Sequence, residues 1–267
     1  MIRRFSTLVL GAFVALAPAL RTLPATADVP EAAIARAQRS VVLVECPGTP
    51  PRRLTGVVLL SQPGRSYVAV SDLFGCTDYR VRLNGDMASP PLPAHAVTID
   101  KDAIANAPLR SANFNDGMFV QNAITGILGG GAALLAVDAG GLTAIPFVQP
   151  PHGHASLFAL SYADSVFAML PNAKRVDPRL DVADTGEACA NFGFPAASGI
   201  GASAPLFSTA GALVGIVTSH QPNASDLDPR MVPEARTNYF ASNIFAFIAL
   251  LHYALPDPGV PLPAWRC

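Results

Sequence analysis

The chain has 267 residues with 18 Lys or Arg against 19 Asp or Glu, a formal net charge of −1, and so lacks the basic excess that nucleic-acid binding requires. Apolar residues make up 51% and charged residues only 14%, enough to bury a sizeable core, while 25 prolines and 21 glycines impose many turns and short elements.

Met1-Ile2-Arg3-Arg4 is a positive start, residues 5–20 are mostly apolar, and Ala25-Thr26-Ala27 offers small residues for cleavage before Asp28. This is the pattern of an export signal. Read instead as a membrane anchor, its apolar core of roughly 15 residues falls short of the ~20 a spanning helix needs, and Pro18 and Arg21 interrupt its end. Arg3-Arg4 hints at twin-arginine export, but Phe5-Ser6-Thr7 fits that motif poorly, so general secretion is expected. Removal of residues 1–27 leaves 240 residues and takes three arginines with it, so 15 basic side chains face 19 acidic ones and the formal charge becomes −4. No later segment approaches transmembrane length. The expectation is a secreted or periplasmic protein without membrane attachment after cleavage.

Beyond the signal, residues 30–39 read as a short helix. Ser40-Val41-Val42-Leu43-Val44-Glu45-Cys46 is a β-branched run stopped by Pro47-Gly48. Strands are predicted at residues 55–60, 67–71 and 79–83, the last followed by an Asn84-Gly85 hairpin signal. Residues 86–130 are rich in proline, alanine and asparagine, with weak strand signals only at 95–99 and 117–120. Strands are predicted again at 133–137, 157–162, 165–170 and 212–218. Ile244, Phe247, Ile248 and Leu251 recur at helical spacing, with Ser242 or Asn243 as cap and Pro256 as stop. Many short strands followed by one helix predict an all-β fold of two packed barrels. A single β-sandwich is the alternative architecture, as in an adhesin or structural protein.

Four cysteines survive cleavage: Cys46, Cys76, Cys189 and Cys267. An even count in an exported chain favours two disulfides, with three connectivities open. No Cys or His spacing matches a zinc site, and neither metal nor cofactor is expected. Asn223-Ala224-Ser225 is a glycosylation sequon, relevant only in a eukaryotic secretory pathway.

The segment Gly199-Ile200-Gly201-Ala202-Ser203-Ala204-Pro205-Leu206, followed by Leu213-Val214-Gly215-Ile216-Val217, resembles the G-D-S-G-G-P-L motif and buried strand of trypsin-like serine proteases. Anchored on Pro205-Leu206, that family's nucleophilic serine falls on Ala202. Tyr67-Val68-Ala69-Val70-Ser71-Asp72-Leu73 is similar to the strand that ends in the family's histidine, with Leu73 in its place. Gly131-Ala132-Ala133-Leu134-Leu135, followed by Ala144-Ile145-Pro146, is similar to the D-I-A-L-L segment, with Gly131 in the aspartate's place. Asn238-Tyr239-Phe240 is similar to the lead into the family's final helix. The resemblance implies two packed six-stranded antiparallel β-barrels with a C-terminal helix: a first barrel over about 40–130, a second over about 131–240, a helix over about 242–255 and a tail over 256–267.

It also implies lost chemistry. A serine hydroxyl attacks a carbonyl only when an imidazole takes its proton and a carboxylate orients that imidazole. Ala202, Leu73 and Gly131 supply none of these roles, and loss of such a triad costs on the order of 10⁶ in turnover. The oxyanion glycine maps to Ile200, whose Cβ resists the backbone geometry glycine permits, and the intervening aspartate maps to Gly201. The expectation is a non-catalytic module that binds an extended peptide or protein partner by strand addition. The alternative is an active endopeptidase shifted by one residue, with Ser203 as nucleophile. That serine needs a base, yet none of His95, His152, His154, His220 and His252 occupies the strand-end place. Asp72 reads as a solvated loop carboxylate. The resemblance further suggests Cys46 with Cys76, near the histidine's loop, and Cys189 with Cys267.

Overall fold

The apolar runs of the N-terminal half alternate between two destinations. The computed structural model describes residues 29–48, 51–71, 73, 75–99, 132–149, 155–162, 173–185, 191–195, 203–217 and 238–261. Helix α1 (Glu31–Gln38) leads into β1 (Val41–Cys46), β2 (Arg52–Gln62), β3 (Arg65–Val70), β4 (Tyr79–Leu83), β5 (Leu92–Ala96) and β6 (Ala133–Val137), which close into a barrel in the order β1-β2-β3-β6-β5-β4. Val42, Val44, Val58, Val68, Val70, Val81, Leu135 and Val137 fill its interior. Their neighbours Val41, Leu43, Val57, Leu59, Tyr67, Ala69 and Leu134 face the other way, into a second core shared with the C-terminal half. Strands buried on both faces read as continuous apolar runs, which is how these appear in the sequence.

The C-terminal half contributes β7 (Ala155–Ser161), β8 (Arg179–Thr185), β9 (Asn191–Pro195), β10 (Pro205–Ser208), β11 (Leu213–Val217) and β12 (Asn238–Asn243), in the order β8-β7-β10-β11-β12-β9. Helix α2 (Ile244–Ala254) follows β12 directly. Its residues 244–251 are all buried, because it packs against β6 as well as β11 and β12 and so has no solvated face along that length. Phe158 of β7 and Phe207 of β10 pack with ring centroids 5.2 Å apart at the centre of the shared core. Each fully buried aromatic of this kind contributes about 2–3 kcal/mol. The two halves are also joined by a buried hydrogen bond from the Tyr162 amide to Thr55 Oγ1, 2.8 Å long. α1 is tied to the β10–β11 turn by Arg36, which donates to the Ala210 carbonyl.

Three sequence expectations need correction. β6 belongs to the first barrel, paired with β3 and β5, so that barrel ends after Val137 and not at residue 130. The second unit is a six-stranded sheet and not a closed barrel: among the described residues no ladder joins its outer strands β8 and β9. The Asn84-Gly85 turn forms, with φ of 52° and 61°, but it does not join β4 to β5 as a tight hairpin. It delivers the chain to an isolated bridge between Asp86 and Arg175, and Gly85 lies so close to the Val176 carbonyl that a Cβ would sit 1.7 Å from its oxygen. The closed first barrel also replaces the single-sandwich alternative.

The 1–27 segment, Asp72, Gly131, Ile200, Gly201, Ala202, Cys189, Cys267, His152, His154, His220, the sequon at Asn223 and the strand predicted at 165–170 lie outside the described residues.

Candidate functional site

β3 carries a buried apolar run to Val70, and the next residue, Ser71, is also fully buried. A hydroxyl in that position requires a partner, since an unpaired buried polar group costs about 1–3 kcal/mol. The partner comes from the other half of the molecule. Ser203 Oγ accepts hydrogen bonds from the Ser71 amide at 3.1 Å and the Ser71 hydroxyl at 2.9 Å, across 132 positions of sequence. Ser203 is itself 0% exposed.

The backbone fixes this meeting from both sides. Ser203 stands just before β10, where its amide donates to the Val217 carbonyl and the Val217 amide donates back to Ala204, each at 2.9 Å. Its φ of 67° lies in the left-handed region that favours glycine. On the first barrel, the register Val70↔Ala133 places the start of β6 beside the end of β3. The end of β3 thus meets both the start of β6 and Ser203.

Leu73 lies two positions beyond Ser71. It is half-buried and packs on the interior cluster of the first barrel together with Cys76. Its carbonyl accepts from the Cys76 amide at 3.0 Å and from the Tyr79 hydroxyl. A disulfide joins Cys76 to Cys46 at the end of β1, with Cα atoms 6.0 Å apart, as the resemblance suggested. Leu73 and Cys76 are thus held close to the first barrel by the disulfide and these hydrogen bonds.

Ser203, the alternative nucleophile, has no imidazole partner among the described residues. His95 is exposed on β5, its Nε2 3.0 Å from Asp138 Oδ2. His252 Nε2 lies 2.8 Å from the Val260 carbonyl. Gly131 and Ala202 lie outside the described residues. Sequence reasoning missed Ser71. The available signal was a serine directly after the apolar run Tyr67–Val70, a place where a buried hydroxyl must find a partner. Among the described residues, no group of three or more His, Cys, Asp or Glu side chains could hold a metal ion, and no helix is long and apolar enough to cross a membrane.

No protein-family model matches the chain, and no curated protein sequence matches it. Solved structures do. The active form of the Rv3671c protease from M. tuberculosis superposes with a TM-score of 0.54 at 15% identity, covering 100% of this chain and 99% of that one. An inactive form of the same protein gives 0.52 at 16% identity, covering 89% and 96%. The serine endoprotease from Yersinia pestis gives 0.50 at 16% identity, covering 84% of this chain and 66% of its own. The fold is that of trypsin-like serine proteases.

Proposed function

We propose that this chain is an exported protein of trypsin-like fold that has no catalytic triad and serves as a non-catalytic module binding an extended peptide or protein segment. The observation that carries this reading is the environment of Leu73. Leu73, three residues beyond β3 and matched by the sequence motif to the family's proton-accepting histidine, has an aliphatic side chain packed on the barrel interior. Ser203 Oγ, for its part, is engaged by Ser71 and has no imidazole among the described residues to activate it. Gly131 and Ala202 supply neither carboxylate nor hydroxyl. A site without base, orienting acid or activated nucleophile retains binding surface and loses acyl transfer. Export is supported by the signal pattern of residues 1–27 and by the Cys46–Cys76 disulfide, which belongs in an oxidising compartment.

The test is to incubate the chain lacking residues 1–27 with a random decapeptide pool, separate bound from free peptide by gel filtration, and sequence both by mass spectrometry. Retention of intact peptides is expected. New peptide termini that vanish in Ser203→Ala would assign peptidase activity instead, and failure to retain any peptide would remove the binding role.

A further inference from the structure

One row of residues on the first barrel has the wrong charge for an acidic chain. In the ladders, Glu45 of β1 is opposite Arg53 of β2 on one side and Arg80 of β4 on the other, and Arg80 is opposite Pro93 of β5. Directly paired residues share a face of a sheet. The adjacent residues Val44, Leu54, Val81 and Ala94 fill the barrel, so the row Arg53–Glu45–Arg80–Pro93 lies on its outer surface. Arg82, two positions along β4, donates to Glu45 Oε2 at 2.7 Å and to the Ser89 carbonyl at 2.7 Å, and Arg53 Nε lies 3.7 Å from Glu45 Oε1. One carboxylate therefore pairs with two guanidinium groups, while Arg80 lies on the same row and exposed Arg52 is next in sequence. Arg80 is exposed.

Beside Arg80 the surface opens into a pocket of about 300 Å³. Pro47, Pro91 and Pro93 give it apolar walls, and exposed Asp78, Arg80 and His95 are its charged or titratable members. His95 is turned to Asp138 at 3.0 Å.

We propose that this face docks an acidic protein segment in extended form, with an apolar side chain seated in the proline-walled pocket and flanking carboxylates on Arg80 and Arg53. Planar guanidinium forks match carboxylates bidentately. Arg53 and Arg80 are two strand spacings apart, roughly 10 Å, which is the reach of about three extended residues. Proline walls are rigid and lose little entropy when a ligand orders them. A recess walled by three prolines receives an inserted side chain, which suits a peptide better than a flat lipid surface. This surface is separate from the peptide cleft proposed above and needs neither Leu73 nor Ser203.

The test is fluorescence anisotropy of a labelled nonapeptide of Asp and Glu with a central Leu, titrated with the chain lacking residues 1–27. Controls are the Asn/Gln version of the peptide and vesicles containing anionic lipid. Expected are binding of the acidic peptide alone and at least about tenfold weakening in Arg80→Glu and again between 50 and 300 mM salt. Arg80→Gln, with an intermediate loss, guards against a misfolded charge reversal, and thermal unfolding checks both variants. Equal binding of the Asn/Gln peptide, indifference to Arg80→Glu, or binding to vesicles without binding to peptide would each overturn the proposal, the last assigning the face to a membrane surface.

Discussion

Ser203→Ala leaves two buried donors of Ser71, its amide and its hydroxyl, without the oxygen they share. At about 1–3 kcal/mol for each orphaned group, the substitution should cost roughly 2–6 kcal/mol. Alanine gains nothing from the backbone, since the φ of 67° remains unfavourable for any Cβ. Ser71→Ala removes only the hydroxyl and keeps the amide bond to Ser203, so about 1 kcal/mol is expected. Ser203→Gly loses the same oxygen as the alanine variant but relieves left-handed strain of about 1–2 kcal/mol, and should fall between the two. The double variant Ser71→Ala/Ser203→Ala should be no worse than Ser203→Ala, because the orphaned hydroxyl has gone. Equilibrium urea unfolding measures all four. Equal costs for the two single alanine variants, or strict additivity in the double, would refute the hydrogen-bond geometry on which the site's convergence rests.

Cys46→Ala/Cys76→Ala opens a loop with a sequence separation of 30 and should lower stability by about 3–4 kcal/mol in the chain-entropy model, read from urea midpoints under non-reducing conditions. Gly85→Ala meets both a left-handed backbone and the Val176 carbonyl, and should cost about 3 kcal/mol or more. Gly64→Ala has similar φ but open space, and should cost only the strain of about 1–2 kcal/mol. Asp86 is held below the usual carboxylate pKa, chiefly by the Ser89 hydroxyl and then by the Ala88 and Ser89 amides. Its contribution is present above the unfolded pKa and lost as pH falls through the lower folded value. The stability gap between the natural chain and Asp86→Asn should therefore close on acidification below about pH 4, as thermal scans across pH would record.

How much of this was legible in the sequence depends on what each segment packs against. β1, β3, β6 and β11 announce themselves because Val, Leu and Ile fill both of their faces or a central place in the sheet. β8 and β9 were missed. Both are outer strands, β8 mixes Asp and Arg with its apolar residues, and β9 (Asn-Phe-Gly-Phe-Pro) carries the turn formers that usually argue against a strand. The barrel boundary went astray because sequence order suggested a break before Ala133, whereas closure of the barrel draws that strand back to β3. At the site, Leu73 and Ser203 could be picked out from the motif frame alone. For Ser71 only the need for a partner was legible, from a serine ending an apolar run; which residue supplies it, 132 positions away, was not.

The central claim is that the fold retains the protease frame without a reactive serine. It is tested most directly by treating the chain lacking residues 1–27 with a fluorophosphonate probe and measuring intact mass. The account predicts an unmodified mass at every pH from 6 to 9. A single stoichiometric adduct that maps to Ser203 and disappears in Ser203→Ala would contradict it.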